Sequence, residues 1–212
     1  DEGFAANVAN ATSGMMGNSG QTCSAGSRLL VPNSRMDEVR KIAAEAANGV
    51  TVGDPTGNFA LGPVVSKSQY NDIQRYIEIG ISEGAELIAG GLGRPEGLDK
   101  GWYVKPTVFI TTNDKVVARD EIFGPVLVII GYDDVEDAIA IANDSNFGLG
   151  GYVSGADVDL ARNIARKLRT GAVWVNGGFD FNAPFGGYKR SGNGREWGEH
   201  GFAEYLEIKS II

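Results

Sequence analysis

The sequence predicts an α/β fold, in which a mainly parallel, Rossmann-like sheet is flanked by helices. Segments with strand and helix periodicity alternate along the chain, which is typical of that class. The run from Val126 to Tyr132 is apolar on both faces, as expected of a strand that is covered on both sides. Glycine contributes 31 of the 212 residues, which predicts many tight turns and close approaches of the backbone to other segments.

The first part of the chain predicts a helix, a strand and a second helix. Apolar residues spaced by four, three and four positions indicate an amphipathic helix from Phe4 to Met15. Residues Arg28 to Val31 are interpreted as a buried strand that Pro32 ends. Ser34 is the predicted N-cap of the next helix, which ends at Gly49.

The middle of the chain predicts a third helix and two strands. The spacing Ser66-x-x-Gln69 is that of a capping box, in which each side chain binds the backbone amide of the other residue. A strand is predicted from Ala85 to Ala89. Another is predicted from Tyr103 to Ile110, where Pro106 indicates an edge strand or a bulge.

The last part of the chain continues the alternation and ends in a return strand. The predicted elements are a helix from Val135 to Ala142, a strand from Gly150 to Val153, a helix from Leu160 to Leu168 and a strand from Ala172 to Val175. The loop from Asn176 to Glu196 is rich in Gly and Asn and is long enough to carry function. Residues 203–212 alternate in polarity, which predicts a C-terminal strand that requires a partner strand.

Composition argues against several classes of protein. The net charge of −8 disfavours nucleic acid or an anionic membrane as the main partner, because both attract basic surfaces. The longest apolar run, Val126 to Ile130, is much shorter than the ~18 residues of a membrane span. One cysteine cannot form an intrachain disulfide and, with no leader segment recognised, favours a cytoplasmic location. One cysteine and one histidine do not make a typical zinc site, so no metal is expected.

The single cysteine, Cys23, lies in a loop of small and polar residues, Gly20 to Gly26. Such surroundings leave a thiol open to a substrate, whereas packing cysteines usually lie among branched apolar neighbours. The local sequence leaves two interpretations open: a nucleophile, or an inert thiol. A cysteine protease would need a histidine partner, but the only histidine, His200, is interpreted as a solvent-facing or helix-end residue.

Glu121 begins the segment Glu121-Ile122-Phe123-Gly124-Pro125, immediately before the apolar strand. It is either a solvated loop carboxylate or a carboxylate that accepts hydrogen bonds from ribose hydroxyls, as acidic residues do in dinucleotide sites. The local sequence alone does not decide between the two.

Three motifs occur in a fixed order along the chain. They are Gly20-Gln21-Thr22-Cys23-Ser24-Ala25-Gly26-Ser27-Arg28, Glu121-Ile122-Phe123-Gly124-Pro125 and Pro184-Phe185-Gly186-Gly187-Tyr188-Lys189-Arg190-Ser191-Gly192. With Asn146-Phe147-Gly148-Leu149 and the segment from Gly171 to Asn176 between them, the chain closely resembles the aldehyde dehydrogenase superfamily. The resemblance is to the C-terminal portion of that family. It implies a catalytic domain, residues 1–192, followed by a C-terminal helix and oligomerisation strand, residues 193–212.

The resemblance implies a role for each matching residue. Cys23 matches the nucleophile that adds to the aldehyde carbonyl, and its backbone N–H would be one oxyanion donor. The implied cofactor-binding residues are Glu121, Phe123 and Gln69, with Tyr70 as a further neighbour. The implied substrate-binding residues are Thr22, Ser24, Phe181 and Phe185. Met16 stands where a larger or aromatic residue is more usual, which bears on the shape of the pocket.

The implied activity is oxidation of a small-molecule aldehyde to a carboxylic acid, with NAD or NADP as cofactor, through a thiohemiacetal and a thioester on Cys23. In the family, the glutamate that activates water, the asparagine of the oxyanion hole and the nucleotide-binding half belong upstream of Asp1. The chain alone is therefore expected to be inactive, and its C-terminal strand is expected to assemble a homodimer or homotetramer. Two alternatives stay open: a CoA-acylating aldehyde dehydrogenase, and a noncatalytic fragment that acts in assembly.

Overall fold

The structure is a computed structural model that describes residues 3–212. The chain forms two compact units, which divide between Ala142 and Asn143. The predicted α/β class is confirmed, because the chain combines parallel strands with flanking helices. Within residues 3–212, no helix is long and apolar enough to cross a bilayer, and no three His, Cys, Asp or Glu side chains are grouped so that they could hold a metal ion.

The first unit is a sheet with helices on both faces. Its helices are α1 (Phe4–Met15), α2 (Met36–Asn48), α3 (Lys67–Ser82), α4 (Val116–Arg119) and α5 (Val135–Asn143), and its strands are β1 (Arg28–Pro32), β2 (Glu86–Ala89), β3 (Thr107–Ile110) and β4 (Val126–Tyr132). The strands lie in the order β1-β4-β3-β2. β4 runs parallel to β1 and β3, whereas β2 is antiparallel to β3. The sheet is therefore mixed, with a parallel centre.

The side chains of β4 alternate between two cores, one on each face of the sheet. Leu127 and Ile129 belong to the core that α1 and α2 cover, whereas Val126, Val128 and Ile130 belong to the core under α3 and α4. Each of these side chains is at most 2 % exposed. Because full burial of such a side chain contributes ~1.5–3 kcal/mol, β4 anchors both faces of the unit.

The N-cap predicted at Ser34 is wrong. Ser34 lies in a 3₁₀ turn, Asn33–Arg35, and α2 begins after it without a side-chain cap. The acidic residues Asp37 and Glu38 lie in the first turn of α2, where negative charge is favoured by the helix dipole.

The strand predicted from Tyr103 to Ile110 is shorter than expected. It begins at Thr107, directly after Pro106, and it is internal to the sheet rather than at an edge. Proline has no amide to donate to a neighbouring strand, so it is tolerated before the ladder begins and not inside it. Pro106 therefore marks the start of β3.

The second unit is built from short strand pairs and helices. Its strands are β5 (Phe147–Gly148), β6 (Gly150–Val153), β7 (Ala172–Val175), β8 (Phe185–Gly186), β9 (Tyr188–Lys189) and β10 (Arg195–Glu196), and its helices are α6 (Val158–Lys167) and α7 (Gly198–Ala203). β6 and β7 pair in parallel, while β5 with β9 and β8 with β10 pair antiparallel. The segment predicted as a loop from Asn176 to Glu196 thus contains the β8–β10 pair and strand β9, whose partner β5 lies earlier in the chain.

The C-terminal segment does not form the predicted strand in this single chain. α7 ends at Ala203, and residues 206–212 have no regular secondary structure. Tyr205, Ile208 and Ile211 are 83 %, 97 % and 92 % exposed. A strand depends on hydrogen bonds to a neighbouring strand, and within residues 3–212 this tail has none. The return strand therefore stays a prediction about an assembly.

Candidate active site

The loop that carries Cys23 begins with an unusual run of backbone conformations. Asn18, Ser19 and Gly20 have φ values of 53°, 56° and 70°, all in the left-handed region. Residues with a Cβ adopt such values only where other interactions hold them. Here Asn18 Nδ2 donates to the Gln21 carbonyl at 2.9 Å, and the Gln21 amide donates to the Asn18 carbonyl at 3.1 Å. The direction in which the chain enters the cysteine turn is therefore fixed.

Cys23 lies in a tight turn at the surface. The Ala25 amide donates to the Thr22 carbonyl at 2.9 Å, which places Cys23 and Ser24 at the central positions of the turn. Cys23 and Thr22 are exposed, and Ser24 is half-buried. Within residues 3–212, no acceptor takes the backbone N–H of Cys23. The exposure excludes a buried packing role for the thiol, and the turn offers both a thiol and a backbone donor.

Gly20 brings the cysteine loop into contact with the loop that carries Glu121. A Cβ at Gly20 would lie 2.0 Å from the carbonyl oxygen of Gly124 and 2.7 Å from the nitrogen of Pro125. No side chain fits in that space, and the positive φ of Gly20 disfavours one as well. Two of the three sequence motifs therefore meet where two glycines approach each other.

A third segment, residues 62–69, is bound to the cysteine loop. Ser19 Oγ donates to the Gly62 carbonyl at 2.8 Å, and the Val65 amide donates to Gln21 Oε1 at 2.9 Å. Because Ser19 is only 3 % exposed, its hydroxyl needs a partner inside the protein. These bonds tie the segment that leads into α3 to the cysteine loop.

Gln69 links the start of α3 to the Glu121 loop. Ser66 caps α3 as predicted, since its hydroxyl accepts from the Gln69 amide at 3.1 Å. The Gln69 side chain, however, does not complete the capping box. Its Nε2 donates to the carbonyls of Ile122, at 3.1 Å, and Phe123, at 2.8 Å. The sequence pattern identified the cap but not this long-range contact.

Glu121 and Phe123 are both accessible to a ligand. Glu121 is exposed, and Phe123 is 39 % exposed. In the part of the chain that the structure describes, no donor binds the Glu121 carboxylate. Phe123 has a φ of 54°, a conformation that costs ~1–2 kcal/mol for a residue with a Cβ. A carboxylate and an aromatic ring on one short loop can accept hydroxyl hydrogen bonds and cover a flat apolar ring.

Met16 belongs to the core of the first unit. Its side chain is 0 % exposed and lies in the same core as Val8 and Leu127. The family resemblance related this position to the shape of the substrate pocket. Its burial gives Met16 a packing role beneath the cysteine loop.

The second unit carries an aromatic cluster, which consists of Phe179, Phe181, Phe185 and Trp197. Phe185 stacks on Trp197 with ring centroids 5.0 Å apart, and Phe181 meets Trp197 edge-on at 5.3 Å. Phe179 contacts Phe181 at 4.7 Å and Trp197 at 5.8 Å. Phe179 and Phe181 are 56 % and 69 % exposed. Contiguous exposed aromatic surface of this kind is typical of a ligand or partner site.

Phe179 and Trp197 carry no sequence signal that predicts a place in the site. Neither residue belongs to a periodic pattern, and Trp197 lies just before α7 with a φ of 66°. The antiparallel pairing of β8 with β10 places Glu196 opposite Phe185, which brings Trp197 to the Phe185 ring. The contact depends on strand pairing, so no local signal in the sequence could have revealed it.

A sequence profile supports the resemblance carried by the three motifs. The profile of the Aldehyde dehydrogenase family matches residues 1–211, nearly the whole chain. The chain belongs to the aldehyde dehydrogenase family. The motifs with Cys23 and Glu121 are those that meet at Gly20, and the motif with Phe185 contributes to the aromatic cluster.

Curated aldehyde dehydrogenases match this chain over part of their length. A 3-succinoylsemialdehyde-pyridine dehydrogenase from Pseudomonas sp is 54 % identical over 93 % of this chain and 42 % of its own. A putative aldehyde dehydrogenase from Staphylococcus epidermidis is 48 % identical over 96 % of this chain and 44 % of its own. The chain thus spans less than half the length of these relatives.

Solved aldehyde dehydrogenase structures share the fold. A cysteine-to-alanine mutant of aldehyde dehydrogenase C from Pseudomonas syringae, in complex with NAD+ and octanal, has a TM-score of 0.96 and 47 % identity. The match covers 98 % of this chain and 44 % of that one. An aldehyde dehydrogenase from Mycobacterium tuberculosis with NAD+ has a TM-score of 0.91 and 43 % identity, over 98 % of this chain and 45 % of that one.

We expect Cys23 to react with iodoacetamide in the native aldehyde dehydrogenase chain. The thiol is exposed on a turn, and access is a main determinant of thiol reactivity. Peptide mass spectrometry after a timed reaction measures the labelling, and the same reaction in urea gives the rate for the unfolded chain. A native thiol that labels only after unfolding would contradict the exposed turn.

Proposed function

We propose that this chain supplies the nucleophile and the nicotinamide-ribose contacts for NAD(P)+-dependent oxidation of an aldehyde to a carboxylic acid. The observation that carries the proposal is the contact between the Cys23 loop and the Glu121 loop at Gly20 and Gly124. It joins an exposed thiol and an exposed carboxylate to one rigid backbone element. The family to which the chain belongs adds the reaction class.

The chemistry uses the cysteine as a covalent catalyst. The Cys23 thiolate adds to the carbonyl carbon, so that a C–S bond forms and the π electrons move to oxygen. The product is a thiohemiacetal anion, and the backbone N–H of Cys23 donates a hydrogen bond to its oxygen and stabilises the charge. Loss of hydride from the same carbon restores the carbonyl as a thioester. Water then attacks the acyl carbon, the carboxylic acid leaves, and the thiol regains its proton.

The Glu121 loop fits the ribose end of a nicotinamide cofactor. The Glu121 carboxylate can accept from two hydroxyls, and the exposed Phe123 ring can cover the adjoining flat group. When bound, NAD or NADP supplies the hydride acceptor. NAD+ complexes of the Pseudomonas syringae and Mycobacterium tuberculosis relatives support this assignment. Gln69 is placed beside this loop by its two hydrogen bonds to it.

The aldehyde is proposed to be a small molecule with an apolar or aromatic body. Thr22 and Ser24 flank the thiol in the first unit. The family resemblance assigns substrate contacts to Phe181 and Phe185 as well, which belong to the aromatic cluster of the second unit. The names of the relatives support this class of substrate: one is a 3-succinoylsemialdehyde-pyridine dehydrogenase, one structure contains octanal, and another is an indole-3-acetaldehyde dehydrogenase. The predicted cytoplasmic location stays a prediction.

Activity is proposed to require the N-terminal half that the relatives possess. The chain covers 42–45 % of their length, and the family resemblance assigns the water-activating glutamate and the second oxyanion donor to the remainder. We call this chain preceded by such a half the extended enzyme. NAD(P)+-dependent aldehyde oxidation is measured for both forms, with and without coenzyme A. We expect turnover with water as acyl acceptor in the extended enzyme and background turnover in the 212-residue chain. Absence of turnover in the extended enzyme would contradict the proposed function.

Deletion of residues 204–212 is expected to dissociate the oligomer of the extended enzyme. The tail is exposed and unpaired within the described residues, and alternating apolar side chains suit the addition of a strand to another subunit. Light scattering gives the mass of each form. Lys209→Ala, on the same tail, is the control, because it keeps the backbone and the apolar residues. An unchanged mass after the deletion would exclude the tail as the assembly element.

A further inference from the structure

The amide of Gln69 is the only side-chain group in the described residues that binds the backbone of the Glu121 loop at two points. Its Nε2 donates to the Ile122 carbonyl at 3.1 Å and the Phe123 carbonyl at 2.8 Å. We propose that Gln69 is a positioning residue, which holds the carboxylate of Glu121 in place through the backbone of its loop. The inference rests on the proposed function and assigns Gln69 a task other than direct contact with the cofactor.

The side chain of Gln69 contacts the Glu121 loop instead of completing the capping box of α3. Its position, three residues after Ser66, is the one from which a glutamine side chain ordinarily returns to the cap. The Ser66 hydroxyl accepts from the Gln69 backbone amide, but the side chain extends away to the other loop. The helix end is thereby rigid at the residue that makes the contact. A rigid donor is what a positioning role requires.

The loop needs such a support because of its backbone. Phe123 has a φ of 54°, which is unfavourable for a residue with a Cβ. Gln69 binds the carbonyl that precedes Phe123, from Ile122, and the carbonyl of Phe123 itself. The next residue, Gly124, packs against Ile73 of the same helix, since a Cβ there would lie 2.5 Å from Ile73 Cδ1. α3 therefore contacts the loop at three successive residues, Ile122, Phe123 and Gly124.

The Glu121 carboxylate depends on that backbone for its position. It is exposed, and no donor among residues 3–212 holds it. Gln69 binds the carbonyl of Ile122, the residue that directly follows Glu121 in the chain. Loss of the Gln69 donor would let the loop move and carry the carboxylate with it. A displacement of ~1 Å at a reacting group can reduce the rate ~10²-fold.

The first test is a double-mutant cycle in the extended enzyme. Gln69→Glu keeps the shape of the side chain but removes both donated hydrogen bonds. We expect it to slow single-turnover hydride transfer about tenfold or more, with a smaller change in KM for the cofactor. In the Glu121→Gln background the same substitution should have no further effect, because it acts through Glu121. Effects that multiply in the double mutant would overturn the proposal and favour direct cofactor contact.

Asn71→Asp is the matched control. Asn71 is exposed on the same helix two residues later, so the substitution adds the same charge near the start of α3 without touching the loop. We expect the hydride-transfer rate of this variant to equal that of the parent. A comparable slowing in Asn71→Asp would show that charge, and not the lost hydrogen bonds, explains Gln69→Glu, and the proposal would be wrong.

A second measurement separates this proposal from the proposed function, because it needs no turnover. Chymotrypsin is expected to cleave after Phe123 about tenfold faster in Gln69→Glu than in the parent or in Asn71→Asp, since cleavage requires the loop to open. Mass spectrometry of the native digest gives the rate. Equal cleavage rates would overturn the positioning role even if the enzyme is active. Faster cleavage in a protein without aldehyde oxidation would support the role and reject the proposed function.

Discussion

Cys23→Ala is expected to abolish aldehyde oxidation by the extended enzyme and to leave cofactor binding intact. The thiol forms the bond on which both the thiohemiacetal and the thioester depend, and no other cysteine occurs in this chain. Removal of a covalent nucleophile lowers turnover by at least about 10⁴-fold in well-studied enzymes. Steady-state formation of the reduced cofactor measures the loss. Titration of the cofactor against protein fluorescence measures the binding.

Ser13→Ala is a suitable control for the same measurements. Ser13 is exposed on α1, and its hydroxyl donates to the Ala9 carbonyl of its own helix, at 3.0 Å. The substitution removes one oxygen from the segment that precedes the cysteine loop without altering the turn. Turnover by Cys23→Ala within tenfold of this control would show that another group performs the chemistry.

The parts of the fold that the sequence predicted are those with a local signal. β4 was recognised because its apolar run meets a core on each face of the sheet. α1 was recognised from the spacing of Val8 and Met15, both of which are buried. The cap at Ser66 is predictable because its hydroxyl accepts from the amide of Gln69, only three residues later in the chain.

The errors and omissions arose where distant segments decide the structure. Ser34 has the chemistry of an N-cap, but a 3₁₀ turn occupies that position. Pro106 correctly indicated a break, yet only the strand order shows that β3 is internal. Gln69 was expected in a capping box, whereas its partners are more than 50 residues away. A local sequence pattern indicates which conformation one segment favours. It does not indicate which distant residues that segment contacts in the folded chain.

The candidate site shows the same division. Cys23 and Glu121 could be selected from motifs, because each has the functional group that the chemistry needs. Their common support could not be predicted, since it depends on the approach of Gly20 to Gly124 and on the left-handed turn before Gly20. The aromatic cluster was half predicted, because Phe185 is in a motif and Trp197 is not. The motifs identify the residues with reactive groups, whereas the contacts that support those residues are visible only in the folded structure.

Glu121→Gln in the extended enzyme is expected to slow hydride transfer ~10- to 100-fold, with a smaller loss of overall cofactor affinity. The amide keeps the size of the carboxylate but removes its charge and one acceptor, so it binds ribose hydroxyls less well. The adenine end of the cofactor is proposed to bind upstream, where the substitution has no effect. Misplacement of the reacting carbon by ~1 Å reduces the rate ~10²-fold.

Rapid mixing of the enzyme, cofactor and aldehyde gives the single-turnover rate of hydride transfer, and a titration without aldehyde gives the affinity. Glu136→Gln is the control, because Glu136 is an exposed acidic residue in the first turn of α5 and loses the same charge. We expect the control to retain the parent rate. If both the rate and the cofactor affinity are unchanged in Glu121→Gln, Glu121 is a solvated loop carboxylate, the other interpretation that its local sequence left open. A large loss of affinity with an unchanged rate would make it an anchor for the cofactor and not an orienting group.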